Sequence, residues 1–105
     1  MTATAFLAVS PATDGSMAPE VAKAVAALEE FPVEYETTPM GTILEADDVA
    51  VVFEAAAAAH EAVGGDRVGT FLKVDDKRTS DESAQAKVDA VEDALGRPAT
   101  SRRKE

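Results

Sequence analysis

The most distinctive stretch of the chain is Thr37-Thr38-Pro39-Met40-Gly41-Thr42. Three threonines around a Pro-Met-Gly bend bring hydroxyls and free backbone groups close together, which suits hydrogen bonding to a small heterocycle. The same residues also suit a plain hairpin in which threonine serves its β preference. Tyr35, the only tyrosine, lies two residues upstream and shares a strand face with Thr37, where its ring can stack on a ligand or fill the core. A second concentration of polar groups is Lys73, Asp75, Asp76, Lys77 and Arg78. There Lys73 and Asp75 can line a polar site on a sheet face, or the segment can be a salt-bridged strand end. His60, the only histidine, falls on or beside the apolar stripe of a helix, the place of a packing residue, and no serine or acid is set by sequence to complete a triad with it. Asp47-Asp48 and Asp75-Asp76 are adjacent pairs, whose members point different ways on a strand or helix, so neither is a catalytic carboxylate pair. No P-loop, GxGxxG, EF-hand, HExxH or GxSxG motif occurs.

The elements that must position these groups follow from periodicity. Thr4 to Val9 is an apolar run of strand length, closed by Ser10-Pro11 and a turn-like Thr13-Asp14-Gly15-Ser16. Val21, Ala24, Val25 and Leu28 repeat at helical spacing, predicting a helix from about Ala18 to Glu30 with Pro19 in its first turn. Val33–Thr38 and Thr42–Glu45 read as two strands joined by the Pro-Met-Gly connection. Asp47 and Asp48 supply an N-cap and first-turn charge for a second helix. Its stripe is Val49, Val52, Phe53, Ala56, Ala59 or His60, and Val63, up to Gly64-Gly65.

Arg67 to Asp75 is a fourth strand, with Val68, Thr70, Leu72 and Val74 on one face and Phe71 on the other. A third helix, about Asp81 to Leu95, ends at Gly96, and the basic residues 97–105 are expected to form a flexible tail beyond a single domain of residues 1–96. The order β-α-β-β-α-β with right-handed crossovers predicts an α+β, ferredoxin-like sandwich with an additional C-terminal helix. Phe6 and Phe71 then fall on the face away from the two main helices, which needs cover from the third helix or from another subunit.

The 105 residues leave room for one domain, and 46 % apolar content excludes compositional disorder. Absence of cysteine removes disulfides, thiolate metal sites, Fe–S clusters and cysteine nucleophiles, and a single histidine removes histidine-rich zinc sites. Net charge is −10, and the first 96 residues hold 19 acids against 6 bases, a field that repels nucleic acid and anionic membranes. So acidic a chain, rich in alanine and poor in lysine, has the composition of a halophilic cytoplasm, where salt screens self-repulsion; an ordinary acidic cytosolic protein is the plainer alternative. With no basic n-region at Met1 to Ser10 and no long apolar stretch, the expectation is a cytoplasmic protein without membrane insertion.

Three segments together are specific: Tyr35-Glu36-Thr37-Thr38-Pro39-Met40-Gly41-Thr42-Ile43-Leu44-Glu45, Ala59-His60-Glu61-Ala62, and Lys73-Val74-Asp75-Asp76-Lys77-Arg78. They resemble the thiamine-binding protein family related to YkoF, with a likeness running from about Thr4 to Leu95 and departures at Gly69 and Phe71. The resemblance implies a ferredoxin-like fold, assembly into a homo-oligomer, a dimer or tetramer, and binding of thiamine or its hydroxymethylpyrimidine moiety. It implies no catalysis and no cofactor. Thiamine joins a cationic thiazolium to an aminopyrimidine, so its site needs an aromatic face or negative charge together with paired donors and acceptors. The ligand-binding residues expected on that basis are Ser10, Tyr35, Thr38, Met40, Thr42, Lys73 and Asp75. Two other classes stay open at this point: a cofactorless enzyme using His60 or Asp75 as base, and a structural or regulatory partner-binding module.

Overall fold

The computed structural model describes residues 1–99. The elements are β1 (Thr2–Pro11), α1 (Ala18–Leu28), β2 (Glu34–Thr37), β3 (Thr42–Ala46), α2 (Val49–Ala62), β4 (Val68–Lys77) and α3 (Ala84–Leu95). The four strands form one sheet in the order β2-β3-β1-β4, every neighbouring pair antiparallel. This is the expected ferredoxin-like topology, with the C-terminal helix added. Of the expected tail, Arg97 to Ala99 are seen, the Ala99 N–H donating to Glu92 at 2.8 Å, and positions 100–105 lie outside the described residues.

Strand alternation sorts β1 into two sets. Ala3, Ala5, Leu7 and Val9 are buried under the helices with Leu44 and Ala46 of β3, while Thr4, Phe6 and Ala8 are only half-buried on the opposite, open face. The helices contribute Ala24 and Leu28 from α1 and Val52, Ala55, Ala56 and Ala59 from α2. The core is therefore narrow: its large, fully buried side chains are Leu28, Leu44 and Val52. Alanine at most helix contact points lets α1 and α2 approach each other and the sheet closely. That explains one departure from expectation. Phe53 is 54 % exposed, and Ala55 takes its place in a Val52, Ala55, Ala56, Ala59 stripe, because a close helix–sheet approach has room for small side chains and none for a phenyl ring.

The caps follow the sequence. Asp48 accepts from the Ala50 N–H at 2.9 Å at the start of α2, Ser83 accepts from the Ala86 N–H at 3.3 Å at the start of α3, and Gly96 ends α3 in a left-handed conformation with φ 73°. Glu20 of α1 accepts from the Gly64 N–H at 2.7 Å and pairs with Lys23 at 2.6 Å, tying the start of α1 to the end of α2.

α3 lies on the open face, but buries none of its own side chains. It is held at one end of that face by polar contacts, the Ala84 N–H donating to the Glu45 carboxylate and Lys87 pairing with Asp75 at 2.5 Å. Phe71 stays 59 % exposed, and Val91 and Leu95 are exposed too. The hydrogen bond and charge of Lys87 hold the Asp75 carboxyl below the ordinary aspartate range. A carboxylate whose folded pKa is depressed stabilises the fold above its unfolded value of about 3.9, and the contribution is lost as pH falls through the folded value. Acidification below about pH 4 should therefore release α3 before the core, seen as a loss of helical circular dichroism that precedes the cooperative transition. Asp75→Asn should show the released signal already at neutral pH; an unchanged acid profile in that variant would show that the pair does not hold α3.

Candidate functional site

β1 pairs with β4 over its whole length, but with β3 only from Ala3 to Leu7, where Leu7 faces Thr42. Beyond Leu7 the backbone of Ala8, Val9 and Ser10 has no strand partner on the β3 side. The chain entering β3 closes this notch from above through the turn Thr38-Pro39-Met40-Gly41. Thr38 organises that turn: its N–H donates to the Gly41 carbonyl at 2.8 Å, its hydroxyl donates to the same oxygen at 2.7 Å, and its Oγ1 accepts from the Met40 and Gly41 N–H groups, each at 3.3 Å. The one hydroxyl proton is thus committed inside the turn.

Between notch, turn and α1 lies a cavity of about 160 Å³. Leu7, Val9, Val21, Val25 and Leu28 form its apolar wall, Thr37, Thr38, Met40 and Thr42 bring polar and flexible groups to it, and Ser10 borders it although its register opposite Gly69 turns its side chain to the open face. No titratable side chain among the described residues lines it. Among the described residues, the hydroxyls of Ser10, Thr37 and Thr42 have no hydrogen-bond partner within the chain. Thr42 is buried, Ser10 and Thr37 are exposed, and Met40, 79 % exposed, stands at the mouth. The arrangement is a dry wall with uncommitted donors and acceptors at one edge, the chemistry that takes a flat neutral ring edge-on.

Four of the seven expected site residues therefore converge: Ser10, Thr38, Met40 and Thr42. Tyr35, Lys73 and Asp75 do not join them. Tyr35 lies on the edge strand β2, 40 % exposed, and its hydroxyl donates to Glu29 at 3.0 Å; that hydrogen bond to a carboxylate raises the phenol above its ordinary range. Lys73 and Asp75 share the open face of β4, on the far side of the sheet from the cavity, where Asp75 receives Lys87 of α3. Alternation explains the placing of Lys73 and Asp75, since a residue of β4 paired with Thr4 or Phe6 faces away from the helices, whereas the cavity lies on the helix side; Tyr35, opposite Leu44, shares the helix side and is tied instead to Glu29. His60 takes the packing role expected of it, Nδ1 lying 2.5 Å from Thr70 Oγ1 at the edge of the sheet. Sequence reasoning counted Thr37 among the hydroxyls of the bend without carrying it into the expected set, did not single out Met17, and took Val21 and Val25 as helix core. Their amphipathic spacing was the available signal, but it marks a buried face without saying that part of it is left open. A larger cavity of about 460 Å³ lies beneath α3, lined by Glu34, Glu36, Glu45, Lys87 and Val88 among others. Its roof is the helix that buries nothing, and its carboxylates have no comparable set of free hydroxyls, so the notch is the better-built site.

A family model described as Thiamine-binding protein matches residues 5–92. The chain belongs to this family. Within the thiamine-binding protein family, similar proteins include the UPF0045 protein of Methanothermobacter thermautotrophicus, 47 % identical over 76 % of this chain and 84 % of the relative, and one of Staphylococcus xylosus, 35 % identical over 79 % and 84 %. Among solved structures, a hypothetical protein of Methanocaldococcus jannaschii superposes with a TM-score of 0.79 at 29 % identity, covering 86 % of this chain and 95 % of that one. A Thermotoga maritima protein provisionally assigned to thiamine biosynthesis or salvage has a TM-score of 0.65 at 22 % identity, covering 87 % and 99 %, a likeness of fold. Gly69 and Phe71, where this chain departs from the expected pattern, fall on the open face of β4 and do not line the notch.

Because Thr38 satisfies three partners inside the turn, Thr38→Val should loosen the cavity's rim. We expect a loss of about 1–2 kcal/mol in urea unfolding, the size of one or two partly buried hydrogen bonds. Unchanged stability would show that the turn is held without that hydroxyl.

Proposed function

We propose that this protein is a small-molecule-binding protein, and that the notch between β1, α1 and the Thr38–Gly41 turn takes the aminopyrimidine ring of thiamine or of its hydroxymethylpyrimidine precursor. One observation carries the reading: the uncommitted hydroxyls of Thr37 and Thr42, both on the helix side of the sheet, stand at the edge of an apolar cavity of about 160 Å³. An engineered cavity of about 150 Å³ is known to accept one benzene ring, so the space admits a single six-membered ring and not the whole of thiamine. The thiazolium would remain at the mouth near Met40, where a molecule of net charge −10 favours a cation. A binding role is favoured over catalysis because the two candidate bases, His60 and Asp75, are engaged with Thr70 and Lys87 and neither lines the cavity.

Calorimetry with thiamine and with hydroxymethylpyrimidine tests this. Both ligands should bind; Thr37→Val or Thr42→Val should each weaken binding by roughly 2- to 13-fold, the equivalent of one neutral hydrogen bond, and Tyr35→Leu should leave it unchanged. No heat with either compound at millimolar concentration would remove this reading of the cavity.

We also propose that a second copy of the chain covers the open face. The Phe6–Phe71 pair is left uncovered by α3, whose own Val91 and Leu95 are exposed as well, and closed two-fold symmetry is the usual solution. Charge supports a two-fold axis along the strands. Glu34, Glu36 and Glu45 lie toward one edge of this face, and toward the other lie Lys73 and Lys77 with Asp75 neutralised by Lys87 between them, so such an axis sets the less acidic edge of one copy over the acidic edge of its partner. Light scattering at micromolar concentration should give at least twice the mass of one chain, falling in Phe71→Glu. A monomeric wild type would rule the arrangement out.

A further inference from the structure

Gly41 closes the turn over the cavity, yet its backbone is not in the left-handed region that favours glycine. Its requirement is space. A Cβ at position 41 would stand 2.5 Å from Cζ and 2.8 Å from Cε1 of the Phe6 ring, and 2.8 Å from the carbonyl oxygen of Leu7. The ring of Phe6, which belongs to the open face, thus lies against the glycine that forms the rim on the other side of the same sheet. Its far side meets Phe71, ring centroids 6.1 Å apart and planes at 66°, an edge-on arrangement. One ring therefore touches both the turn that frames the cavity and the aromatic patch on the open face.

We propose that Phe6 is a positioning residue for the cavity: by filling the space beside Gly41 it sets the height of the Thr38–Gly41 turn above the notch, and it makes the cavity's width respond to how the Phe6–Phe71 pair is packed. The ligand assignment is borrowed from the reading above, but the mechanical link rests on the ring and the glycine alone. The turn is suited to such control. Two short bonds from Thr38, 2.8 and 2.7 Å, fix the Gly41 carbonyl to the other end of the turn, whereas the amide bonds to Thr38 Oγ1 are long, 3.3 Å each, and Met40 is largely in solvent, so a displacement of Gly41 moves the turn as a unit.

Two measurements on the full chain decide this without any ligand. The first is amide hydrogen exchange at Met40 and Gly41, read relative to amides of α2. Phe6→Ala should speed exchange at these two positions by about tenfold with α2 little changed, and Phe71→Ala should act in the same direction more weakly. If Phe6→Ala does not fold, Phe6→Leu replaces it. The second is a double-mutant cycle in thermal unfolding. Gly41→Ala should lower Tm by about 5–10 °C in the wild type and by clearly less in the Phe6→Ala background, where only the contact with the Leu7 carbonyl remains. Turn amides that exchange as in the wild type, or a cycle that is additive, would overturn the proposal. Thiamine affinity is then compared, with an expected weakening of about fivefold in Phe6→Ala. If the wild type binds no thiamine while exchange and cycle behave as stated, the ligand reading falls and the positioning role stands; if thiamine binds and the cycle is additive, the reverse holds.

Discussion

The register of β1 is the constraint from which the rest follows. This strand is central, pairs on both sides, and is apolar on both faces, so a slip of one residue would exchange Ala5, Leu7 and Val9 for Phe6 and Ala8 beneath the helices. The alanine-lined helices have no room for a phenyl ring there, and Leu7 and Val9, each contributing about 1.5–3 kcal/mol on full burial, would be turned out to the open face. With the register set, Leu7 must face Thr42, and β3 ends three residues short of Ser10. The notch is the geometric remainder of a long strand beside a short one.

That origin explains the composition of the cavity. A gap between strands exposes main-chain groups whose partners have run out, and the connection entering β3 supplies the hydroxyls beside them. The wall is the part of α1 that has no side chain from β3 to meet. Nothing charged takes part, although the molecule around it is strongly acidic. A polar but uncharged edge in a net negative molecule separates two requirements: neutral donor and acceptor pairing is satisfied inside, and cation attraction is left to the long-range field at the mouth.

Much of this was readable before any coordinates. The strand order, the caps at Asp48 and Gly96 and the two-faced character of β1 all follow from local rules that act over a few residues. Thr38, Met40 and Thr42 could be named because hydroxyls crowded around a Pro-Met-Gly bend are a local signal as well. Lys73 and Asp75 lie away from the notch for a non-local reason. Which side of the sheet carries the helices decides whether a residue of β4 shares the cavity, and that depends on the parity of its pairing with β1, Asp75 opposite Thr4 and Lys73 opposite Phe6. Periodicity within β4 separates its two faces without saying which of them meets Thr42. Phe53 was misplaced by the complementary error, since the large apolar residue was assumed to lead its stripe in a core where closeness of approach selected alanine.

The position of Phe6 joins these two levels. As a residue of the open face it has no part in the helix-side core, and on that face it is half-exposed beside Phe71. A phenylalanine left half in water on a sheet face is ordinarily a liability, tolerable when another chain covers it or when it holds something in place. Here the absent Cβ of Gly41 is the space the ring occupies, so size at position 6 and emptiness at position 41 are two halves of one fit. Such a fit acts through a sheet only one residue thick. Side chains on opposite faces are separated by a single backbone layer, and a displacement of the turn's backbone is shared by both faces at once. The cavity and the open face are therefore mechanically adjacent even though no side chain of one faces the other.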